Sequence, residues 1–215
     1  MANETTGIGP AAPAAVAIAP ELGNGAIWPL SVEQYHKMVV AGILDEDLPV
    51  ELLEGWLVTK MGKNPRHRLA AELVREILAA LLPAGWFVEG QEPLTTADSE
   101  PEPDASVVRG DRGDYLDRHP QPEEIALVVE VSDTSLRRDR ALKGRIYANA
   151  GVPVYWIVNL NDGLVEVYTG PSGPTTAPVF ADRSDYGVSD EVPVVIDGRE
   201  IARVAVARMM PWLGR

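Results

Sequence analysis

The sequence lacks several features on which common classes of protein depend. It has 215 residues and no cysteine, which excludes disulfide frameworks, thiolate zinc sites and cysteine nucleophiles. No apolar run approaches the roughly 20 residues that a membrane-spanning helix needs, so we expect no membrane partner. Basic residues are scarce, since 19 Lys and Arg stand against 32 Asp and Glu, a net charge of −13. A protein that binds nucleic acid mainly through its overall electrostatic field is basic. Any binding of nucleic acid by this chain would therefore depend on a local site.

The first 27 residues are rich in Ala, Pro and Gly, and the first basic residue of the chain is Lys37. A secretory signal begins with a positively charged region, so this composition instead predicts a flexible tail over residues 1–27 and a cytoplasmic protein. Residues 28–215 have the length of one ordinary domain, and 46% of the whole chain is hydrophobic. We therefore expect a single domain after the tail.

Apolar periodicity and turn residues divide the rest of the chain into helices and strands. Helical spacing, N-cap residues, prolines and glycines predict helices over 32–41, 66–82 and 136–150. Short apolar runs between turn residues predict strands over 86–89, 105–109, 125–131, 154–159 and 164–169. Three hairpins are predicted, over 50–53 and 56–61, over 154–159 and 164–169, and over 192–196 and 201–206. We expect the last of them to complete an edge of the sheet. This order predicts an α/β (α+β) fold, a mixed β-sheet flanked by helices with extra β-hairpins.

Glu130 is the anomaly of this pattern, because every other residue of the strand at 125–131 is apolar. A carboxylate inside such a strand costs several kcal/mol unless it is paired, protonated or bound to a cation. Asp104 opens another strand directly after Pro103, and Lys143 lies on the helix that follows the strand of Glu130. Together the three residues predict a site in which two carboxylates hold Mg²⁺ or Mn²⁺ and the lysine reaches the same place.

Each of these residues also has a structural explanation. Glu130 could end its strand and accept hydrogen bonds from the amides of the following helix. Asp104 could be a turn residue, and Lys143 could form a surface ion pair with Asp139 one helical turn earlier. The sequence leaves both explanations open.

The motifs around these residues resemble a known family of nucleases. The order of Pro103-Asp104, the strand of Glu130 and then a lysine is similar to the PD-(D/E)xK restriction-endonuclease-like nucleases. The strings VVEVS at 128–132 and GVPVYWIV at 151–158, with ELLEG at 51–55 and PRH at 65–67, resemble more specifically the Uma-type endonucleases, the Uma-two family. The resemblance covers about residues 32–169. In that superfamily the lysine usually lies two positions after the acidic residue, where this chain has Ser132, and the resemblance implies that Lys143 replaces it from the helix.

The resemblance implies a restriction-endonuclease-like core and a Mg²⁺-dependent endonuclease that hydrolyses phosphodiester bonds in DNA. Asp104, Glu130 and the backbone carbonyl of Val131 would hold one or two Mg²⁺ (or Mn²⁺), and Lys143 would orient the attacking water and neutralise developing charge. Glu51 would supply a further ligand or position a water, with a solvent-facing strand residue as the alternative. The other functional class that we consider is a non-catalytic interaction module on the same fold.

Two basic runs flank this expected site and would meet the DNA. Nine of the 19 basic residues fall within 60–68 and 137–145. Among the residues of these runs we expect His67, Arg66 and Arg138 to contact phosphate, whereas the alternative is two solvated helix faces and a surface histidine. The acidic net charge predicts weak binding at physiological salt. A homodimer is compatible with this function, because cutting both strands of a duplex usually takes two active sites.

The composition of residues 1–27 generates a first prediction. These residues carry no periodic apolar pattern and no basic partner for the acidic core, so a chain starting at Ala26 should melt within about 2 °C of the full chain. Thermal unfolding of the two chains, followed by circular dichroism, measures the difference. A larger loss would mean that the tail packs against the folded core.

Overall fold

The protein is described here by a computed structural model that covers residues 28–45 and 48–213. The tail predicted over 1–27 lies outside the described residues, and the assignment of 28–215 to one domain stays a prediction. Within the described part of the chain, no helix is both long and apolar enough to cross a membrane.

The elements follow the predicted order closely. The helical segments are α1 (Val32–Val40), α2 (Pro65–Ala79), α3 (Leu136–Arg138), a π-helical turn (Asp139–Lys143), α4 (Gly144–Ala150) and α5 (Val206–Met209), with short 3₁₀ turns at Arg112–Tyr115 and Pro122–Glu124. The strands are β1 (Val50–Leu53), β2 (Trp56–Thr59), β3 (Trp86–Glu89), β4 (Ala105–Arg109), β5 (Ile125–Ser132), β6 (Val154–Asn159), β7 (Leu164–Pro171), β8 (Phe180–Gly187), β9 (Glu191–Ile196) and β10 (Arg199–Ala205).

Six strands form one mixed sheet in the order β3-β4-β5-β6-β7-β8. Strands β5 and β6 run parallel, whereas the other neighbouring strands of this sheet are antiparallel. The segment from α3 to α4 is the crossover that a parallel pair requires. Strands β1 and β2 form a separate antiparallel hairpin, and so do β9 and β10. The predicted mixed sheet with flanking helices and extra hairpins is confirmed.

Strand β5 lies at the centre of the core and is buried along its whole length, as its apolar sequence predicts. Leu127 and Val129 pack in one apolar cluster with residues of α2. Val128 packs on the opposite face of the sheet with Tyr147 of α4. Because side chains alternate along a strand, Glu130 lies on the same face as Val128, beneath the crossover. The one charged residue of β5 therefore faces the helix that carries Lys143.

Two parts of the C-terminal third differ from the prediction. Strand β8 carries no sequence signal, because the string FADRSDYG lacks apolar alternation and most of its residues are exposed at the outer edge of the sheet. The hairpin predicted over 192–196 and 201–206 exists, but it does not complete an edge of the main sheet. Its strands β9 and β10 instead bury Val192, Val194 and Val204 in the cluster that contains α2.

The turn between β1 and β2 generates a second prediction. Gly55 has a φ of 78°, and a Cβ there would lie 2.5 Å from the Cβ of Pro29, which precedes α1. Gly85 has a similar φ of 84°, but a Cβ there would meet no atom within 4 Å. Gly85→Ala should therefore cost only the left-handed backbone conformation, about 1–2 kcal/mol. Gly55→Ala should cost about 1–3 kcal/mol more, because Pro29 must also be displaced.

Urea unfolding of the two alanine variants measures this difference directly. Equal losses of unfolding free energy would show that the segment before α1 does not press on the hairpin.

Candidate active site

Asp104 and Glu130 approach each other because β4 and β5 are antiparallel neighbours. Ala105, the first residue of β4, is paired in register with Val129. Continuing that register by one residue brings Asp104 beside Glu130 at the end of β5. The register therefore places these two positions side by side, whereas a cation shared between the two carboxylates stays a prediction.

Asp104 is a buried carboxylate surrounded by donors. Its Oδ2 accepts a hydrogen bond of 2.9 Å from the backbone N–H of Val131 and lies 3.2 Å from Nε2 of His67. Its Oδ1 accepts a bond of 3.0 Å from Nζ of Lys63. Burial would raise the pKa of Asp104, but these donors outweigh burial and lower the pKa to about 2. Asp104 is therefore ionised at neutral pH.

Glu130 is held through one oxygen and leaves the other available. Its Oε1 accepts hydrogen bonds from Nζ of Lys143 at 2.8 Å and from the hydroxyl of Tyr147 at 2.7 Å. No hydrogen bond from the described residues reaches Oε2. Burial raises the pKa of Glu130 to about 8; Lys143 opposes this rise, and three neighbouring carboxylates add to it. Burial is thus the main reason that the pKa of Glu130 is raised, and the neighbouring carboxylates contribute less.

Lys143 is the buried cation of the site, with 3% of its surface exposed. Its Nζ contacts Glu130 and also lies 3.3 Å from Oε2 of Glu51. Burial would lower the pKa of Lys143, but Glu130 and Glu51 raise it above its ordinary value, so the side chain stays an ammonium ion. The alternative of a surface ion pair with Asp139 is wrong, because Lys143 points into the protein at carboxylates from two other elements.

A π-helical turn positions Lys143, and it corrects the prediction of one regular helix over 136–150. Asp139 begins the turn, and its Oδ2 accepts bonds of 2.6 Å from the hydroxyls of Ser132 and Ser135. The hydroxyl of Tyr155 on β6 donates to the carbonyl of Asp139 at 3.1 Å. These contacts anchor the turn to the sheet, and π turns of this kind frequently occur at functional sites. Ser132 and Ser135 therefore hold the start of the turn through their hydroxyls.

Glu51 belongs to the same cluster, although it comes from the separate hairpin β1–β2. It is 2% exposed, so the alternative of a solvent-facing strand residue is wrong. Its Oε2 accepts a hydrogen bond of 3.2 Å from the N–H of Glu102, and its Oε1 lies 3.8 Å from Nη2 of Arg138. Its role as a further ligand or as a residue that positions water stays a prediction.

The three residues expected to contact phosphate have different environments. His67 is buried against Asp104, so it is not a surface histidine, and its Nδ1 has no hydrogen-bond partner among the described residues. Arg138 lines the pocket above the site and donates to the carbonyl of Thr59 at 2.9 Å. Arg66 is exposed and does not line that pocket. Their contact with phosphate stays a prediction.

The chemistry of the site fits a hard divalent cation. Asp104, Glu130, Val131, Glu51 and Lys143 all line one pocket of about 50 Å³, room for an ion and a few waters. Within residues 28–45 and 48–213, no group of three or more His, Asp or Glu side chains is arranged to hold a metal ion. This is compatible with Mg²⁺, which usually keeps several waters and uses only one or two carboxylates. The carbonyl of Val131 as a ligand stays a prediction, since the contact seen for Val131 is its N–H.

Sequence reasoning missed two direct partners of the carboxylates. The sequence indicates only a core aromatic residue at Tyr147, yet its hydroxyl donates a hydrogen bond to Glu130. Its position four residues after Lys143 was the available signal. Lys63 reads as one member of a basic run, yet it binds Asp104, and no sequence signal distinguishes it from its basic neighbours.

The mixed sheet and its crossover agree with the restriction-endonuclease-like core that the resemblance implies. The sequence profile of the Uma2 family, described as "Putative restriction endonuclease", matches residues 32–195, so the chain belongs to the Uma2 family. A crystal structure with the same fold is that of a putative nuclease belonging to DUF820 from Anabaena variabilis ATCC 29413. The two chains align with a TM-score of 0.64 and 14% sequence identity over 86% of this chain and 99% of that chain.

No curated protein matches the chain. Family membership supports a nuclease function, whereas the likeness to the crystal structure bears on the fold alone.

The burial of Lys143 generates a third prediction. Lys143→Met removes the cation that faces both Glu130 and Glu51, and breaking a buried pair in this way typically costs about 3–5 kcal/mol. If Lys143 formed only a surface pair with Asp139, the expected loss of unfolding free energy would be below about 1 kcal/mol. Lys37→Met is the matched control, because Lys37 forms an exposed i,i+4 pair with Glu33 and should lose less than about 1 kcal/mol. Urea unfolding measures both variants, and equal small losses would contradict the buried cluster.

Proposed function

We propose that this protein is a Mg²⁺- or Mn²⁺-dependent endonuclease that hydrolyses phosphodiester bonds in DNA. The observation that carries the proposal is the convergence of Asp104, Glu130, Glu51 and Lys143 on one small pocket. These side chains come from four separate places in the chain, and all four are buried. Burying so many charges is costly, and it is typical of sites where chemistry needs them. Membership of the Uma2 family supports the same class of reaction.

In this proposal Asp104 and Glu130 hold the cation, with the carbonyl of Val131 as a third oxygen. The bound cation would lower the pKa of a water and stabilise negative charge on the phosphate in the transition state. Asp104 is suited to this role because it is ionised at neutral pH, and Glu130 because its Oε2 receives no hydrogen bond from the described residues. Glu51 would position a water or complete the ligand set.

Lys143 would act on the substrate as a fixed positive charge. Its ammonium group is protonated and is held by Glu130 and Glu51, so it needs no reorganisation when charge develops on the phosphate. His67 would keep Asp104 oriented and offer its imidazole to the phosphate. Each of these roles follows from a side chain that already lines the pocket.

The DNA would approach across the basic residues around the pocket. Arg138 lines the pocket, and the exposed Arg66 lies at the start of α2 nearby. Lys60 and Lys63 already pair with Glu102 and Asp104, so the charge left over for phosphate is modest. Together with the net charge of −13, this leads us to expect weak, strongly salt-dependent binding. We place the enzyme in the cytoplasm, and a homodimer is compatible with its proposed function.

One observation favours a second candidate function, a non-catalytic interaction module. Both central carboxylates already have a protein cation, Lys63 for Asp104 and Lys143 for Glu130. Such ion pairs could have a purely structural role at the end of the sheet. Metal binding separates the two candidates, because a purely structural network has no need of a divalent ion.

The fourth prediction tests the nuclease directly. Purified protein is incubated with plasmid and with single-stranded DNA in Mg²⁺, Mn²⁺ or EDTA, and cleavage is expected only with a divalent ion. Glu130→Gln should reduce the rate by roughly 10²-fold or more. Glu123→Gln is the control, since Glu123 is exposed and lies outside the pocket, and it should cleave like the wild type.

A thermal shift accompanies the cleavage assay. Mg²⁺ or Mn²⁺ should raise the melting temperature of the wild type and of Glu123→Gln, but not of Glu130→Gln. Absence of both cleavage and a metal-dependent shift would reject the nuclease in favour of the interaction module.

A further inference from the structure

A second and larger concavity lies beside the candidate active site. This groove has a volume of about 980 Å³, and it runs between α1 on one bank and the segment 115–121 on the other. Sites for small molecules and cofactors usually measure about 300–1,000 Å³, so the groove is large enough for a group of nucleotide size. The proposed chemistry at Asp104 and Glu130 does not use it.

The groove and the active-site pocket share a wall. Lys60 and Glu102 line both concavities and are joined by an ion pair of 2.6 Å. The backbone N–H of Glu102 donates in turn to the carboxylate of Glu51 at 3.2 Å. The Lys60–Glu102 ion pair therefore lies between a group bound in the groove and the buried carboxylates of the active site.

Each bank of the groove carries an exposed apolar side chain. Val40 on α1 is 88% exposed, and Leu116 on the opposite bank is 84% exposed. The rings of His36 and His119, which also line the groove, have centroids 6.5 Å apart. Apolar side chains this exposed, gathered on both sides of a groove in an acidic protein, are typical of a surface that binds something.

The floor of the groove carries one buried hydrogen-bond acceptor. Glu100 is 3% exposed, and its Oε2 accepts a bond of 2.9 Å from the hydroxyl of Thr95 and lies 2.6 Å from Nε2 of His36. No hydrogen bond from the described residues reaches its Oε1. A buried carboxylate of this kind accepts hydrogen bonds from the amino groups of nucleobases.

The charges of the groove are largely paired with one another. Glu100 faces His36, Glu102 binds Lys60, and Arg118 on the far bank forms an ion pair with Glu124. Such a surface attracts phosphate weakly, because counterion release requires free cations. A neutral ring with apolar faces and a polar edge suits it far better than a phosphate does.

We propose that this groove binds an unpaired nucleobase of the substrate strand, adjacent to the phosphate that is cleaved. The proposal rests on the proposed nuclease function and specifies its substrate class as nucleic acid with a single-stranded stretch. The faces of the base contact Val40, Leu116 and the two imidazoles, and an N–H group on its edge donates to Glu100. In a duplex, stacking covers the faces of a base and pairing occupies its edge. Only an unpaired base can therefore enter the groove. Base contacts of this kind would also compensate for the weak phosphate attraction of an acidic protein.

Binding of labelled oligodeoxynucleotides to the full chain tests the groove, with fluorescence anisotropy in EDTA and at low salt so that nothing is cleaved. Three ligands of equal length are compared: a single strand, a blunt duplex, and a single strand of abasic residues that keeps the phosphates but has no bases. The single strand should bind about 10-fold or more tightly than either of the others, as expected for base stacking on a protein surface.

Variants then locate the base. Leu116→Ser should bring the affinity for the normal single strand close to that for the abasic strand and leave abasic binding unchanged. Because Leu116 is exposed, this variant should fold normally. His36→Ala should act in the same way. Val179→Ser, an exposed apolar residue outside the groove, should bind all three ligands like the wild type.

The outcomes distinguish the groove from the nuclease. Equal affinity for normal and abasic strands, no effect of Leu116→Ser, or no binding of any oligonucleotide would overturn the groove assignment, even if plasmid is cleaved with Mg²⁺. Base-dependent binding that Leu116→Ser removes would support the groove even if no cleavage occurs, and the nuclease proposal alone would then fail.

Discussion

The buried contact between Lys143 and Glu130 is the interaction on which the site depends. An ion pair at this depth gains little net stability, because taking two charges out of water costs about as much as their attraction returns. The two side chains nevertheless fix the crossover to β5 at one defined point, and Glu51 attaches the hairpin β1–β2 to the same ammonium group. Three parts of the fold are thus held in register by one cation.

The surroundings of this pair are arranged to satisfy it. A π turn brings Lys143 toward the sheet, two serine hydroxyls anchor the turn, and Tyr147 adds a hydrogen bond to the same oxygen of Glu130 that the lysine contacts. The remaining oxygen of Glu130 accepts no hydrogen bond from the described residues. Local geometry that departs from a regular helix therefore coincides with a place where four charged side chains are buried together.

Much of this arrangement is predictable from the sequence. The rest is not predictable, and the reasons for this are physical. The apolar run around Glu130 predicts a buried strand, and the carboxylate within it marks the site before any coordinates are known. By contrast, the environment of Lys143 depends on a π turn whose anchors are ordinary serines, so a regular helix is the natural expectation. The sequence pattern likewise does not predict strand β8. An exposed edge strand needs no apolar alternation, and β8 is formed by its pairing with β7. Predictions from pattern succeed where burial dictates residue type and fail where tertiary hydrogen bonds decide the backbone.

The hairpin β1–β2 also bears on the order in which the molecule assembles. Glu51 and Lys143 are far apart along the chain, and Leu53 on the same strand packs with Leu142 and Ile146 of the crossover. Contacts between such distant segments form only after the intervening loop has closed, so they are slow to form and are absent from any intermediate in which the hairpin is undocked. Local opening of this one hairpin, with the six-stranded sheet intact, would let water reach the ammonium group and separate Glu51 from the other carboxylates. The chain can therefore be largely folded and still lack a complete site, because the site requires the docked hairpin as well as the sheet.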